Sequence, residues 1–324
     1  MISVARFIEY LACLAFAVIT YKTFKFYLDR GKEASLVIKD VLNINVLISF
    51  IFIIAYLLTY FNIERLETSS LLYNASPYSD PTIRLRGFYV EGGPLGLLYC
   101  FLFILTFWLQ GKRWFYQAIF FTVILMAKSK AGLVGVIAWL AYKFYRRFHN
   151  TVWLKPIIIL LIVPVFIVAF TKIAQEYIYL LSNVDKILPN RLTDTNFVMG
   201  RIAAVFIAPN MFFDNTLFGI GLGNYALLRN NPEYLGMWPT VKLWDAPGLG
   251  VFISLLVDHG IIGFLLFCSL LYSIYKSYAT ASKQLILLFI LISMLGVQLH
   301  FLYIWFLIGM ALAFPAKKSK AVNE

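Results

Sequence analysis

The sequence predicts an all-α integral membrane protein, a polytopic bundle of about nine transmembrane helices with one long extracytoplasmic segment. Three observations lead there. First, 61% of the residues are hydrophobic and only 14% are charged, which leaves too little polar surface to cover a water-soluble globule. Second, apolar runs long enough to cross a hydrocarbon core of about 30 Å recur along the chain. Third, the excess of cationic residues, a formal net charge of +12, gathers in short segments between those runs. In that position Lys and Arg report membrane orientation rather than affinity for nucleic acid.

In chain order, the expected spans are Val4 to Tyr21, Val41 to Phe61, Pro94 to Leu109, Trp114 to Ala127, Ala131 to Tyr145, Trp153 to Ile173, Val251 to Tyr275, Leu285 to Gln298 and Phe301 to Phe314. Arg6 and Glu9 interrupt the first, so the chain shows no cleavable signal peptide of ordinary layout. Only Lys128, Ser129 and Lys130 separate the fourth from the fifth, and each is short for a full crossing, which predicts a helical hairpin. Cys13, Cys100 and Cys268 all fall inside apolar segments without metal-type spacing and read as packing residues. With no internal repeat or linker, residues 1–324 are expected to form a single polytopic domain.

Positive charge collects at Lys22, Lys25, Arg30, Lys32 and Lys39, at Lys112 and Arg113, at Lys143, Arg146 and Arg147, and at Lys276 and Lys283. Those loops are expected in the cytoplasm, together with a tail bearing Lys317, Lys318 and Lys320 and ending at Glu324. The alternation leaves Met1 outside, along with two longer segments, 62–93 and 174–250. The second, with five prolines from Pro189 to Pro247, is too long for a connector, so function is expected on the outer face.

The candidate chemistry clusters at that face. Arg84-Leu-Arg86-Gly87-Phe-Tyr-Val-Glu91-Gly92-Gly93-Pro94-Leu-Gly96 brings two guanidiniums and a carboxylate to the mouth of a span. A guanidinium fork suits phosphate oxygens, while the alternative is pairing with Glu91 or with lipid headgroups. Lys128 and Lys130 lie where an ammonium is costly unless it faces water or an anion, or snorkels to the interface. Gly200-Arg201 is followed by Leu217-Phe-Gly219-Ile-Gly221-Leu-Gly223-Asn224-Tyr225. That spacing superficially matches a dinucleotide fingerprint, but no βαβ pattern surrounds it and a tight turn is the better reading. Asp245-Ala-Pro247-Gly248-Leu-Gly250 leads into a span holding Asp258-His259-Gly260, where adjacency alone does not make a catalytic pair. No metalloprotease, Walker, paired CxxC or nucleophile-elbow motif occurs in the sequence.

Taken together, the chain from about Val41 onward resembles the O-antigen polymerase and O-antigen ligase superfamily of polytopic glycosyltransferases, through four patches in order. Arg84-x-x-Gly87-x-x-x-Glu91 is similar to the family's Arg-x-x-Gly-x-x-x-Glu-Pro signature, with Gly92 where proline is usual. Lys128-Ser129-Lys130-Ala-Gly132 resembles its Ser-Arg-Gly turn, with lysine for arginine. Gly200-Arg201 with Leu217 to Tyr225 is the third patch, and Leu256-x-x-x-Gly260-Ile-Ile-Gly263 the fourth. Family ligases usually carry a functional histidine about eleven residues before the glycine matching Gly260, where this chain has Leu249, with Asp245 nearby.

The resemblance implies a bacterial inner-membrane, multi-pass repeat-unit polymerase. It would transfer saccharide from an undecaprenyl-diphosphate carrier to an acceptor glycan on the outer face, without metal or other cofactor. Ligase and lipid-linked saccharide flippase are the alternatives. It further implies Arg84, Glu91 and Arg201 as catalytic residues, and Arg86, Lys128, Lys130, Asp245 and His259 as substrate-binding ones. Expected partners are the lipid-linked oligosaccharide, membrane lipid and a chain-length regulator protein, with no nucleic acid.

Overall fold

The computed structural model describes residues 2–60, 73–76, 80–89, 91–109, 111, 113–148, 171, 174–242, 247–277 and 280–314. Nine helices of twelve residues or more organise them: α1 (Ile2–Asp29), α2 (Ala34–Tyr60), α3 (Gly92–Leu105), α4 (Arg113–Met126), α5 (Lys130–Phe148), α6 (Arg201–Asp214), α7 (Val251–Ser277), α8 (Thr280–Met294) and α9 (Leu302–Ala313). Among the described residues, Ser3–Asp29, Ala34–Leu58 and Val251–Lys276 are long and apolar enough to cross a membrane, while Gly92–Trp108, Arg113–Met126, Thr280–Met294 and Leu302–Ala313 are shorter apolar helices. Almost all of the span expected over Trp153 to Ile173 lies outside the described residues, as do Asp245 and the basic tail to Glu324.

The first two helices run further than their apolar stretches. α1 continues through Lys22-Thr-Phe24-Lys25-Phe26-Tyr27 because aromatic residues alternate with cations that need not be buried. Phe24 is buried, whereas Lys25 bonds the Tyr21 hydroxyl and the Arg30 guanidinium lies 3.8 Å from the Phe26 ring centroid. Phe7, Leu11, Leu14 and Val18 of α1 are exposed at helical spacing, an apolar stripe suited to lipid. A further difference from an all-helical chain is a short antiparallel hairpin, β1 (Tyr73–Ser76) with β2 (Asp80–Leu85), in which Arg84 stands opposite Asn74.

Helix α3 is the centre of the bundle. It packs against both α4 and α5, which follow each other through the Lys128 turn but touch each other little because α3 lies against both, while α9 lies against α1 and α8, and α8 against α7. Eleven of the fourteen residues of α3 are buried, Leu97, Tyr99, Cys100 and Leu102 to 1% exposure or less, so this short helix is covered by protein rather than lipid. The segment after residue 174 builds a second apolar cluster around α6, in which Phe197 and Phe206 meet the Trp238 ring at 5.7 and 5.8 Å.

The glycine-rich patches Leu217 to Tyr225 and Leu256 to Gly263 form one joint. α7 breaks at Gly260, where φ is 63° and ψ −167°. A break frees backbone groups that must find new partners inside an apolar bundle. The loop after α6 supplies them: Ile220 and Gly221 N–H donate to the Val257 and Asp258 carbonyls at 2.9 and 3.0 Å, and Ile261 and Ile262 N–H donate to Thr216 and Leu217 at 2.8 and 3.3 Å. These glycines therefore make a backbone joint, in line with the tight-turn reading. The loop also braces α1, since Ser3 Oγ donates to Asn224 Oδ1 at 2.9 Å.

Candidate functional site

A cavity of about 550 Å³ opens where the amino-terminal ends of α3, α5, α6 and α9 converge, lined by Glu91, Gly93 and Pro94, by Ser129, Lys130 and Ala131, by Gly200, Arg201 and Ile202, and by Phe301. Each helix start offers backbone N–H groups without intrahelical partners and the positive end of a dipole. Cations Arg6, Arg84, Lys128, Lys130 and Arg201 share the wall, against Glu91 as the carboxylate in the described lining. The cavity sits at the helix ends opposite those near Arg30, Arg113, Arg146, Lys276 and Lys283.

Two cations are placed against the helix dipole. Arg201 is the first residue of α6 and Lys130 the first of α5, positions where a carboxylate is favoured and a cation is not. Their presence there makes electrostatic sense if an anion occupies the space between. The Lys130 ammonium reaches Glu176 Oε2 at 2.7 Å in an exposed pair at the rim, of the kind that contributes about 0–1 kcal/mol. Arg201 has no ion pair or hydrogen bond with another described side chain, and its guanidinium lies over Gly296.

Arg84 and the lysine turn are built together. From the end of β2, Arg84 Nη2 donates to the Lys128 carbonyl at 3.3 Å, while its buried Nε has no hydrogen-bond partner among the described residues. Ser129 caps α5, accepting the Gly132 N–H at 3.1 Å and donating to the Gly93 carbonyl at 3.2 Å. Such close approach needs glycine across the seam: a Cβ on Gly96 would stand 2.0 Å from Ser129 Cβ, and one on Gly132 2.6 Å from the Gly96 carbonyl oxygen. Lys128 itself has φ 48°, the one non-glycine residue with positive φ among those described, a conformation costing roughly 1–2 kcal/mol. That conformation closes the carboxyl end of α4, where Lys128 N–H donates to the Leu125 carbonyl at 3.0 Å and Ser129 N–H to the Ile124 carbonyl at 3.4 Å.

Glu91 caps α3 in extended conformation without a side-chain capping bond and has no ion pair with Arg84 among the described residues. Pairing between these two is therefore not what holds Arg84 in place. Tyr89 lines the cavity nearby, and burial pushes its phenol up to about 12, so it stays protonated through the physiological range.

Of the residues singled out from sequence, the cavity brings together Arg84, Glu91, Lys128, Lys130 and Arg201 from three separate stretches of chain. Arg86 is not in the lining, and its carbonyl instead accepts the Tyr89 N–H in the preceding turn at 3.1 Å. His259 is not in the lining either; it precedes the Gly260 break, and its Cβ would meet a Cβ on Gly263 at 2.4 Å. Asp245 is outside the described residues, although Gly248 lines the cavity.

Sequence reasoning missed Arg6, Tyr177, Gln298 and His300. Arg6 had a signal: a buried cation within an apolar helix marks a functional site by default. Its side chain is 8% exposed and bonds Glu9 Oε2 at 2.6 Å. His300 had a weaker one, a titratable residue in the two-residue gap between expected spans. The chain matches no protein-family model and no curated protein.

Proposed function

We infer that the protein is a repeat-unit polymerase of a surface polysaccharide. It would transfer a saccharide from an undecaprenyl-diphosphate carrier to an acceptor hydroxyl at the outer face of a bacterial inner membrane. The observation that carries this reading is the convergence of Arg84, Lys128, Lys130 and Arg201, distant in sequence, on a cavity ringed by four helix starts. Such a site suits a polyanion whose charge grows as the glycosidic bond to the diphosphate breaks. Guanidiniums hold phosphate oxygens in a fork and remain charged at any physiological pH. The resemblance of the four sequence patches supplies the lipid-linked donor.

Deletion of the gene followed by gel analysis of surface polysaccharide tests the assignment. A single repeat unit on the lipid anchor is the expected outcome. Complete absence of anchored saccharide would instead indicate a ligase or a flippase.

In this reading the chain crosses the membrane about nine times, with the basic loops and Glu324 in the cytoplasm and 62–93 and 174–250 outside. Alkaline phosphatase fused after Tyr225 should be active, and inactive when fused at the carboxyl terminus. The reverse pattern would place the cavity on the wrong side for an exported lipid-linked donor.

A further inference from the structure

Helix α6 starts at the cavity with Arg201 and presents three faces along its length. One is buried in protein through Ile202, Ala203, Ile207, Ala208 and Met211. The rest divides into two exposed stripes at helical spacing, apolar Val205, Pro209 and Phe213, and polar Asn210 and Asp214. Asn210 Nδ2 donates to the Tyr234 carbonyl at 3.4 Å, so the polar stripe turns toward the short helix Pro232–Leu235. The apolar stripe does not stop with the helix, because Leu217 and Phe218 in the following turn are exposed as well, Phe213 and Phe218 each to 73%.

These residues are continuous with a surface suited to lipid. The bonds from Ile261 and Ile262 N–H to the Thr216 and Leu217 carbonyls fasten the turn to α7. From that joint Ile262, Leu265, Leu266 and Leu270 run on as an exposed apolar stripe of a helix long and apolar enough to cross a membrane. With 27 residues, α7 is about 40 Å long, against a hydrocarbon core of about 30 Å. Gly260, about 13 Å along it from Val251, therefore falls within a leaflet rather than in water. That leaflet is the one on the cavity side, since Gly248 just before α7 lines the cavity.

A turn can enter that layer only if its polar groups find partners within the protein. The Thr216 hydroxyl lies 3.2 and 3.0 Å from the Phe212 and Phe213 carbonyls, and Asn215 Nδ2 donates to the Met211 carbonyl at 3.2 Å. Asn215 N–H donates to the Phe212 carbonyl at 3.2 Å, and Gly219 N–H to the Asn215 carbonyl at 2.8 Å. The last carbonyls of α6 are thus covered by its own turn. Asp214, on the polar stripe, is left to face headgroups and water.

We propose that the turn 213–218 is seated in the bilayer, with Phe213, Leu217 and Phe218 among lipid acyl chains of the leaflet on the cavity side. Interfacial amphipathic helices bury their apolar face about 5–10 Å into the boundary between headgroups and acyl chains. α6 is then held at both ends. At the cavity a Cβ on Gly296 would stand 2.8 Å from Arg201 Nη2, so the guanidinium rests on backbone, and at Phe213 the helix rests on lipid. Together these fix the depth of the Arg201 guanidinium relative to the membrane interface. The inference stands without the transferase reading. In the topology above it moves residues 213–218 from the aqueous side into the membrane surface.

The test uses full-length Cys268→Ala protein in nanodiscs of phosphatidylglycerol and phosphatidylcholine, Cys13 and Cys100 being buried. A nitroxide is attached at Phe213→Cys or Phe218→Cys. Its collisions with oxygen, which concentrates among acyl chains, and with a water-soluble nickel chelate are read from the power saturation of its electron paramagnetic resonance signal. Leu266→Cys, exposed on α7, supplies the lipid reference and Glu233→Cys, exposed in the short helix, the aqueous one. Both labels should follow Leu266→Cys, with oxygen collisions exceeding nickel collisions severalfold. Nickel collisions as frequent as at Glu233→Cys overturn the proposal, because the turn then stands in water. Infrequent collisions with both reagents overturn it as well and identify a protein segment as the cover. If neither phenylalanine variant accumulates, Leu217→Cys carries the label under the same criteria.

Discussion

Arg201→Lys and Arg84→Lys are each expected to accumulate normally and to lose most polymerisation, by roughly thirty- to a thousandfold. That range corresponds to about 2–4 kcal/mol of transition-state stabilisation, by analogy with removing one donor from an oxyanion site. Lysine keeps the charge but has neither the fork nor the reach to hold two phosphate oxygens at once. The two positions differ in what else they do. Arg201 lies over Gly296 without a described ion-pair partner, so its replacement should cost little stability. Arg84 also ties β2 to the Lys128 carbonyl, and its variant should lower the melting temperature modestly as well. Polysaccharide chain length in a deletion background, with expression checked by immunoblot, is the measurement. Long polysaccharide from both variants at normal abundance would mean that the guanidiniums anchor to headgroups, where either cation serves.

Much of this arrangement was legible in the sequence, because the membrane imposes strong rules on composition. Apolar runs located α1 to α5 and α7 to α9, and the Lys-Ser-Lys interruption located the turn between α4 and α5. Cations at the ends of apolar segments singled out Arg84, Lys128, Lys130 and Arg201, since charge there needs water or a ligand. The hairpin of β1 and β2 was not legible, because two strands of four and six residues carry too little alternation to rise above a polar loop. Nor was the participation of Arg6 and His300. Sequence spacing describes neighbours along one helix, whereas these residues reach the cavity because α1 packs along α9 and the turn 295–300 folds beneath Arg201. His259 adjoins Gly260 and so stands at a backbone joint, outside the lining of the cavity.

That joint yields the largest expected effect on folding. Gly260→Ala should leave little folded protein, because two independent penalties coincide there. The backbone, at φ 63° and ψ −167°, occupies a region essentially reserved for glycine, at a cost of about 1–3 kcal/mol for any other residue. The added methyl would stand 2.4 Å from both the carbonyl carbon and oxygen of Leu217 and 2.6 Å from Gly219 N, and backbone cannot rotate aside as a side chain does. Forcing that space open costs about a further 1–3 kcal/mol. It would also stretch the hydrogen bonds from Ile261 and Ile262 to Thr216 and Leu217, which satisfy the break in an apolar setting. The sum, about 2–6 kcal/mol, is a large part of the roughly 5–15 kcal/mol that holds a typical domain together. Gly93→Ala is the control for stability, since a Cβ there meets nothing within 4 Å and needs no positive φ. Thermal unfolding of detergent-purified protein, followed by tryptophan fluorescence, separates the two. Equal melting temperatures for Gly260→Ala and the parent would show that the loop after α6 does not clasp α7 at Gly260.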